Sequence, residues 1–476
     1  MSNPDRPPLI FSAFVMNTTS HIYQGTWRHP DARNLEHNSL EYWVELAKLL
    51  EAGTFDLIFF ADVVGLYGDY RGDYRKYVET GLQIPANDPA VIASALAYAT
   101  EHLGIAFTSA VVQEHPFSFA RKISTLDHAS GGRIAWNVVT SYLKNAFANF
   151  GYDDIVAHDA RYDWADEYLD VAYKLWEGSW DEGALVQDKA GLHADFDKVH
   201  KIHHLGRNYK VEGPHLVAPS PQRTPLIFQA GSSPRGQQFA ARHAEGIFVS
   251  SPTPEVARQQ IEATRQLAAA HGRSPEDLKF LAGLSFVVGS TEEEARRRAA
   301  DLDENWIDWD GHLAHFAGSL GIDLGHHDLD APVGEINVET VQGIIRGLER
   351  AHPGRPLVVR DLARFMASAN RIVGTPEQIA DRLAEWRDAG VDGVNVMNVV
   401  RPGDYEEFIE HVTPVLQRRG LQRTEYAEGT LRRKLFGTDR LNDRHPAARY
   451  RGAFNGPRSW PEAADPRAVE AAPVGR

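Results

Sequence analysis

Short apolar runs rich in Val, Ile and Phe recur along most of the chain, and between them apolar positions repeat every three to four residues. The first pattern predicts strands buried on both faces, the second amphipathic helices. Eight strands are expected, at Leu9–Val15, Phe55–Ala61, Leu103–Val111, Arg133–Val139, Pro225–Ala230, Gly246–Ser250, Lys279–Val288 and Val391–Met397. Because strands and helices alternate, the sheet is expected to be parallel, and this is the strand number that closes a (β/α)8 TIM barrel. Thr253-Pro254 and Thr375-Pro376 read as helix starts, and Gln378 completes a capping box with Thr375. After the fourth strand, Ala165, Tyr168, Leu169, Ala172, Leu175 and Trp176 form the buried stripe of a helix.

Three segments exceed a minimal barrel. Residues 1–420 are expected to form a single barrel domain with insertions at about 180–224 and 290–374, followed by a C-terminal extension, 421–476. The first insertion is rich in His and Gly and suits hairpins. The second leaves the seventh strand and rejoins before the helix at Pro376, so both ends lie on the side where barrel active sites form, and a lid is expected there. The extension is Arg-rich and punctuated by Pro and Gly, the pattern of a solvated or subunit-contacting tail.

Composition removes whole classes of chemistry. With no cysteine among 476 residues there is no disulfide, thiolate metal site, iron–sulfur cluster or cysteine nucleophile. The net charge of −15 disfavours nucleic acid as a partner. No apolar run has the length of a membrane span and no secretory signal is visible, so a cytoplasmic protein is expected, and a homo-oligomer, dimer or tetramer, with it.

Barrel chemistry is read from the C-terminal ends of the strands. Here those ends are polar: Asp62 after the second, Thr108-Ser109 at the third, Asn137 to Thr140-Ser141 at the fourth, and Gly231-Ser232-Ser233 after the fifth. The turn Gly231-Ser232-Ser233-Pro234-Arg235-Gly236 offers close backbone approach, two hydroxyls and a helix N-terminus, which suits a phosphate. It is neither a Walker loop nor a dinucleotide GxGxxG, so a mononucleotide phosphate fits best. His158 and Tyr162 share one face at the start of another helix and suit the same anion. His21 follows the first strand, and His312 and His315 lie in the lid segment among Trp306, Trp309 and Phe316, positions from which a proton can be exchanged near neutral pH. The groups His200, His203, His204 and His326, His327 fall in excursions and read as solvated loops; no metal site is expected. Arg71, Arg75 and Lys76 are candidates for an acidic substrate, or a solvated loop.

The stretches Ser130-Gly131-Gly132-Arg133-Ile134-Ala135-Trp136-Asn137-Val138-Val139-Thr140-Ser141, Arg161-Tyr162 with Ala165-Asp166-Glu167, and Gln229 to Gly236 resemble the nitrilotriacetate/dibenzothiophene-sulfone monooxygenases of the bacterial-luciferase-like superfamily. The likeness runs from about residue 8 to 420. It implies a two-component monooxygenase that takes FMNH2 from a separate NAD(P)H:flavin reductase and uses O2 to oxygenate a small organic molecule, with C–N or C–S cleavage among the outcomes. It places flavin contacts on Asp62, Thr108, Asn137, His158, Tyr162, Ser232 and Ser233, catalytic histidines at His21 and at His315 or His312, and apolar walls at Phe60 and Phe248. The alternatives are a flavin- or deazaflavin-dependent oxidoreductase that works without O2, a metal-dependent barrel hydrolase, and a non-catalytic partner subunit.

Overall fold

The computed structural model describes residues 6–368 and 370–455. All eight expected strands form: β1 Ile10–Met16, β2 Leu57–Ala61, β3 Gly104–Ala110, β4 Ile134–Val139, β5 Leu226–Gln229, β6 Gly246–Val249, β7 Lys279–Val288 and β8 Gly393–Met397. They pair in chain order, every ladder parallel, and β8 returns to β1 through Ile10↔Gly393 to close the barrel. Alternation within each strand sends one set of side chains into the barrel and the other out against the helices. Phe14, Phe59, Phe228 and Phe248 meet inside, with Phe59 and Phe248 ring centroids 4.7 Å apart.

Strand β7 is ten residues long because it serves two purposes. Its first half completes the barrel, while Ser285–Val288 pair with an added strand, Arg371–Gly374, where the second insertion returns. Between those points the insertion folds into helices Glu292–Asp301, Trp309–Ser319, Glu339–Ala351 and Val359–Ser368 around a core of their own, including Leu313, Val341, Ile345 and Leu362. The first insertion contributes a two-residue-per-strand hairpin, His204–Leu205 with Lys210–Val211, and a 3-10 turn, Phe196–Lys198.

The C-terminal segment departs from the expectation of a solvated tail. Its helix Leu431–Phe436 seats Leu431 against Ile10, Leu57, Ala106 and Leu281 at the N-terminal ends of the strands, plugging the barrel floor. Arg432 is 1% exposed and forms a two-pronged pair with Glu245, Nε to Oε1 at 2.7 Å and Nη2 to Oε2 at 2.9 Å. The arginines that made this segment look soluble include one that closes the core. His200 and His204 are likewise structural rather than solvated: His200 pairs with Asp181 at 2.8 Å, and His204 lies buried between Glu167 and Lys174.

Candidate active site

A cavity of about 270 Å³ opens at the C-terminal ends of β2 to β5. Asp62, Thr108, His158 and Tyr162, predicted from three separate stretches of sequence, all line it. Asn137 stands behind them, opposite Thr108 in the β3–β4 ladder, and its Nδ2 donates to Thr108 Oγ1 at 3.0 Å. Its Oδ1 is buried with no partner among the described residues, a free acceptor that an apolar barrel would not otherwise keep.

The fifth strand end is built around absent side chains. Gln229 Oε1 accepts from Gly231 N at 2.7 Å, and Ser233 caps the helix Pro234–His243 by accepting from Gly236 N. Tyr162 Oη, hydrogen-bonded to Ser233 and Gln229, fills the notch between Gly231 and Gly236. A Cβ on Gly231 would lie 2.5 Å from Gln229 Nε2 and 2.6 Å from Tyr162 Oη. Ser232 is exposed beside the notch, and Ser141 closes the β4 end in a left-handed conformation, φ 57°. Arg161 also lines the cavity, 7% exposed, with a buried Nε that has no partner among the described residues. Sequence reading quoted Arg161 within a motif without singling it out; its place next to Tyr162 at a helix start was the available signal.

Asp62 is the unusual carboxyl. Burial, reinforced by Asp88, pushes its pKa up to about 7. A carboxyl that holds its proton more tightly when folded stabilises the fold below its unfolded pKa, and that contribution is lost as pH rises through the folded value. Stability of the ligand-free protein is therefore expected to decline from about pH 4 toward pH 7. In denaturant titrations across this window Asp62→Asn should remove that part of the slope; identical slopes in the two proteins would refute the assignment.

The histidines form a second group beside the cavity. His21 stacks on Phe14, centroids 4.9 Å apart, and Phe14 in turn touches Phe248. His315, on the helix Trp309–Ser319, packs edge-on to Tyr67 and lies against Gln24 and Gln83, whereas His312, one turn earlier, faces Trp309 and the backbone of Ile22. This resolves which lid histidine shares a network with the His21 loop: it is His315. Burial lowers His21 to about 3, His312 to about 4 and His315 to about 3, the neighbouring His315 adding to the effect at His21. All three are neutral at pH 7, so they act as hydrogen-bonding groups and not as the titrating acids expected from histidine's ordinary range.

Two expectations are corrected. Phe60 points outward, fully buried against Trp43 at 5.0 Å, and Phe59 takes the interior position assigned to it. Phe248 is interior but lies beneath the site, one ring removed from His21. The expected mouth cations are engaged elsewhere: Lys76 lies 2.9 Å from Asp308 and 3.0 Å from Asp310, and Arg71 pairs with Asp310 at 2.8 Å, fastening the inserted helix to the loop after β2. Arg75 pairs with Asp73 at the surface. Sequence reading missed Tyr67, Gln83, Gln24 and Tyr142, which lie in loops with no motif around them.

Comparison with known proteins places this geometry. The family model for luciferase-like monooxygenases matches residues 16–393. A long-chain alkane monooxygenase of Geobacillus thermodenitrificans (strain NG80-2) is 46% identical over 92% of this chain and 97% of its own. The crystal structure of DmoA from Hyphomicrobium sulfonivorans superposes with a TM-score of 0.89 at 43% identity, covering 94% of this chain and 96% of that one. A riboflavin lyase crystallised with modified FMN and riboflavin gives a TM-score of 0.83 at 38% identity over 93% and 99% of the two chains. The chain belongs to the luciferase-like monooxygenase family.

Proposed function

We propose that this chain is the oxygenase component of a two-component system, oxygenating a small uncharged organic substrate with FMNH2 and O2, the FMNH2 coming from a separate NAD(P)H:flavin reductase. The observation that carries it is the turn from Gly231 to Gly236, where the Tyr162 and Ser233 hydroxyls and the positive end of the helix Pro234–His243 suit a phosphate. The cavity beside it fits the rest of a flavin: Val63, Val64, Ala110 and Val139 supply apolar wall, and Thr108, Asn137 and Asp62 supply polar edge. The riboflavin lyase structure, with its modified FMN, supports the same reading.

When bound, reduced FMN supplies two electrons to O2, so that one oxygen enters the substrate and the other leaves as water. The residues of the chain do the rest. Ser233, Tyr162, His158 and Arg161 would hold the anionic end; the buried, unpartnered Asn137 Oδ1 would offer an acceptor behind Thr108; and Asp62, protonated up to about pH 7, could donate as well as accept. Phe14, Phe59 and Phe248 pack beneath His21, and Tyr67 packs against His315, which would keep water from that side of the site. With Arg71 and Lys76 committed to Asp310 and Asp308, the approach favours a neutral substrate over an acidic one.

Anaerobic titration with FMNH2 tests the proposal, followed by a screen with a generic flavin reductase, NADH and FMN in which product is read as a mass gain of one oxygen. Binding and an oxygen-dependent mass gain are expected. Turnover that continues without O2 would favour the hydride-transferring alternative, and a chain that binds no FMNH2 would overturn the proposal.

A further inference from the structure

A continuous run of polar groups connects the histidine cluster to the cavity. Tyr142, which lines the cavity, has its hydroxyl 3.1 Å from that of Tyr67. Tyr67 Oη lies 2.8 Å from Gln83 Oε1, Gln83 Nε2 lies 3.2 Å from His315 Nε2, and Gln24 Nε2 lies 3.4 Å from His315 Nδ1, so that amide nitrogens face both ring nitrogens and one of the two amides must turn. Tyr67 and Gln83 are buried, 7% and 8% exposed, so each hydrogen in the run has few places to point.

Counting donors fixes the direction. A neutral imidazole has one N–H and one bare nitrogen, so His315 needs one acceptor and one donor against its two nitrogens. The Gln24 nitrogen also donates to the His21 carbonyl at 2.8 Å; a half-turn of that amide would set oxygen against oxygen. Gln24 must therefore be the donor, to Nδ1, and His315 carries its hydrogen on Nε2. Gln83 then presents oxygen to His315 and nitrogen to Tyr67, the two ends of an amide being exchangeable by a half-turn about its last bond. With its oxygen accepting from Gln83, Tyr67 donates to Tyr142, and the Tyr142 hydrogen is left to face the cavity and the solvent at its mouth.

The geometry points to Tyr142 as a hydrogen-bond donor to the cavity ligand, set in that direction by a one-way chain from Gln24 through His315, Gln83 and Tyr67. The opposite polarity would give the cavity an acceptor in the same place. Gln24, His315, Gln83 and Tyr67 are thus positioning residues, acting through the one hydroxyl that reaches the site. The ligand side of this inference rests on the flavin reading above; the direction of the chain does not.

The tautomer is read by nitrogen NMR on histidine-labelled, ligand-free protein, with His315→Gln used for assignment. Neutral His315 protonated on Nε2 across pH 6–8 is expected (about the range where free imidazole titrates); an Nδ1–H tautomer or a charged ring overturns the chain. Its effect is read by anaerobic titration with reduced FMN. Tyr142→Phe and Gln83→Leu should each weaken binding by about three- to tenfold, the factor for one lost hydrogen bond. The double variant should lose no more than either single one, because both remove the same donor. Losses that multiply, or a Tyr142→Phe variant that binds as tightly as the parent, would overturn the role of Tyr142. Tyr142 is 47% exposed, so its substitution leaves the core intact. A parent protein that binds no reduced FMN would remove the flavin reading while leaving the tautomer result standing.

Discussion

Gly231→Ala is expected to weaken FMNH2 binding by about ten- to a hundredfold with the barrel still folded, the loss that about 1–3 kcal/mol of overpacking produces when it falls on the ligand cradle. The new methyl would meet Gln229 Nε2 at 2.5 Å and Tyr162 Oη at 2.6 Å, with Gly236 Cα at 3.0 Å behind them. Neither side chain can yield without cost. Gln229 also orients the Gly231 amide, and Tyr162 is wedged by Phe239 at 5.5 Å and Arg235 at 5.6 Å. Displacing the tyrosine removes a hydroxyl from the phosphate notch and shifts the helix start that Ser233 caps. Anaerobic flavin titration with thermal unfolding alongside decides the matter: parental affinity in the Gly231 variant would remove the notch from the site.

Arg432→Ala should lower global stability by about 3–5 kcal/mol, the range for leaving one member of a buried ion pair uncompensated. Glu245 would be stranded at the barrel floor with 4% exposure, and the Thr224 carbonyl would lose the Nη2 donor now at 3.0 Å. A double replacement, Arg432→Met with Glu245→Leu, should recover much of the loss, since neither charge then remains to be solvated. Denaturant midpoints of the single and double variants measure both effects. If Arg432→Ala unfolds at the parental midpoint, the C-terminal segment is a decoration and not part of the core.

The barrel was legible because its strands are buried on both faces and so appear as uninterrupted apolar runs, bounded by turns and spaced by helical periodicity. The same property hid the phase within a strand. In Leu57-Ile58-Phe59-Phe60 no polar residue marks which side faces out, and the choice of Phe60 over Phe59 went wrong by one residue, a full reversal in a structure of period two. The cavity rim was legible where a strand ends in a polar residue or a helix begins with a cap. Asp62, Thr108, Tyr162 and the Gly231 turn all carry such a mark. Tyr67, Gln83 and Tyr142 carry none: they come from loops after β2 and β4, and only the folded chain brings residues 16 and 75 positions apart into one hydrogen-bonded line. Arg432 was misread for a related reason. Composition counts a charge as solvent-facing, and only tertiary contact reveals that Glu245 lies waiting 187 positions earlier.

The strand Arg371–Gly374 alongside β7 places the exit and the return of the helical insertion next to each other, so closely that Gly289 N donates to Gly374 O at 3.1 Å. In chain-entropy terms the loop is closed before the insertion folds, and adding or removing residues within it changes the closure cost only logarithmically, by about 0.6 kcal/mol per doubling. The insertion's core also takes in Tyr23, Val287, Val399 and Val400 from the barrel, so the two share burial along this side. The enzyme therefore has a barrel floor and an inserted roof, joined at this seam and fastened again where Lys76 and Arg71 meet Asp308 and Asp310. Changes in the roof therefore reach the cavity rim chiefly through the contacts that His315 makes with Gln83 and Gln24.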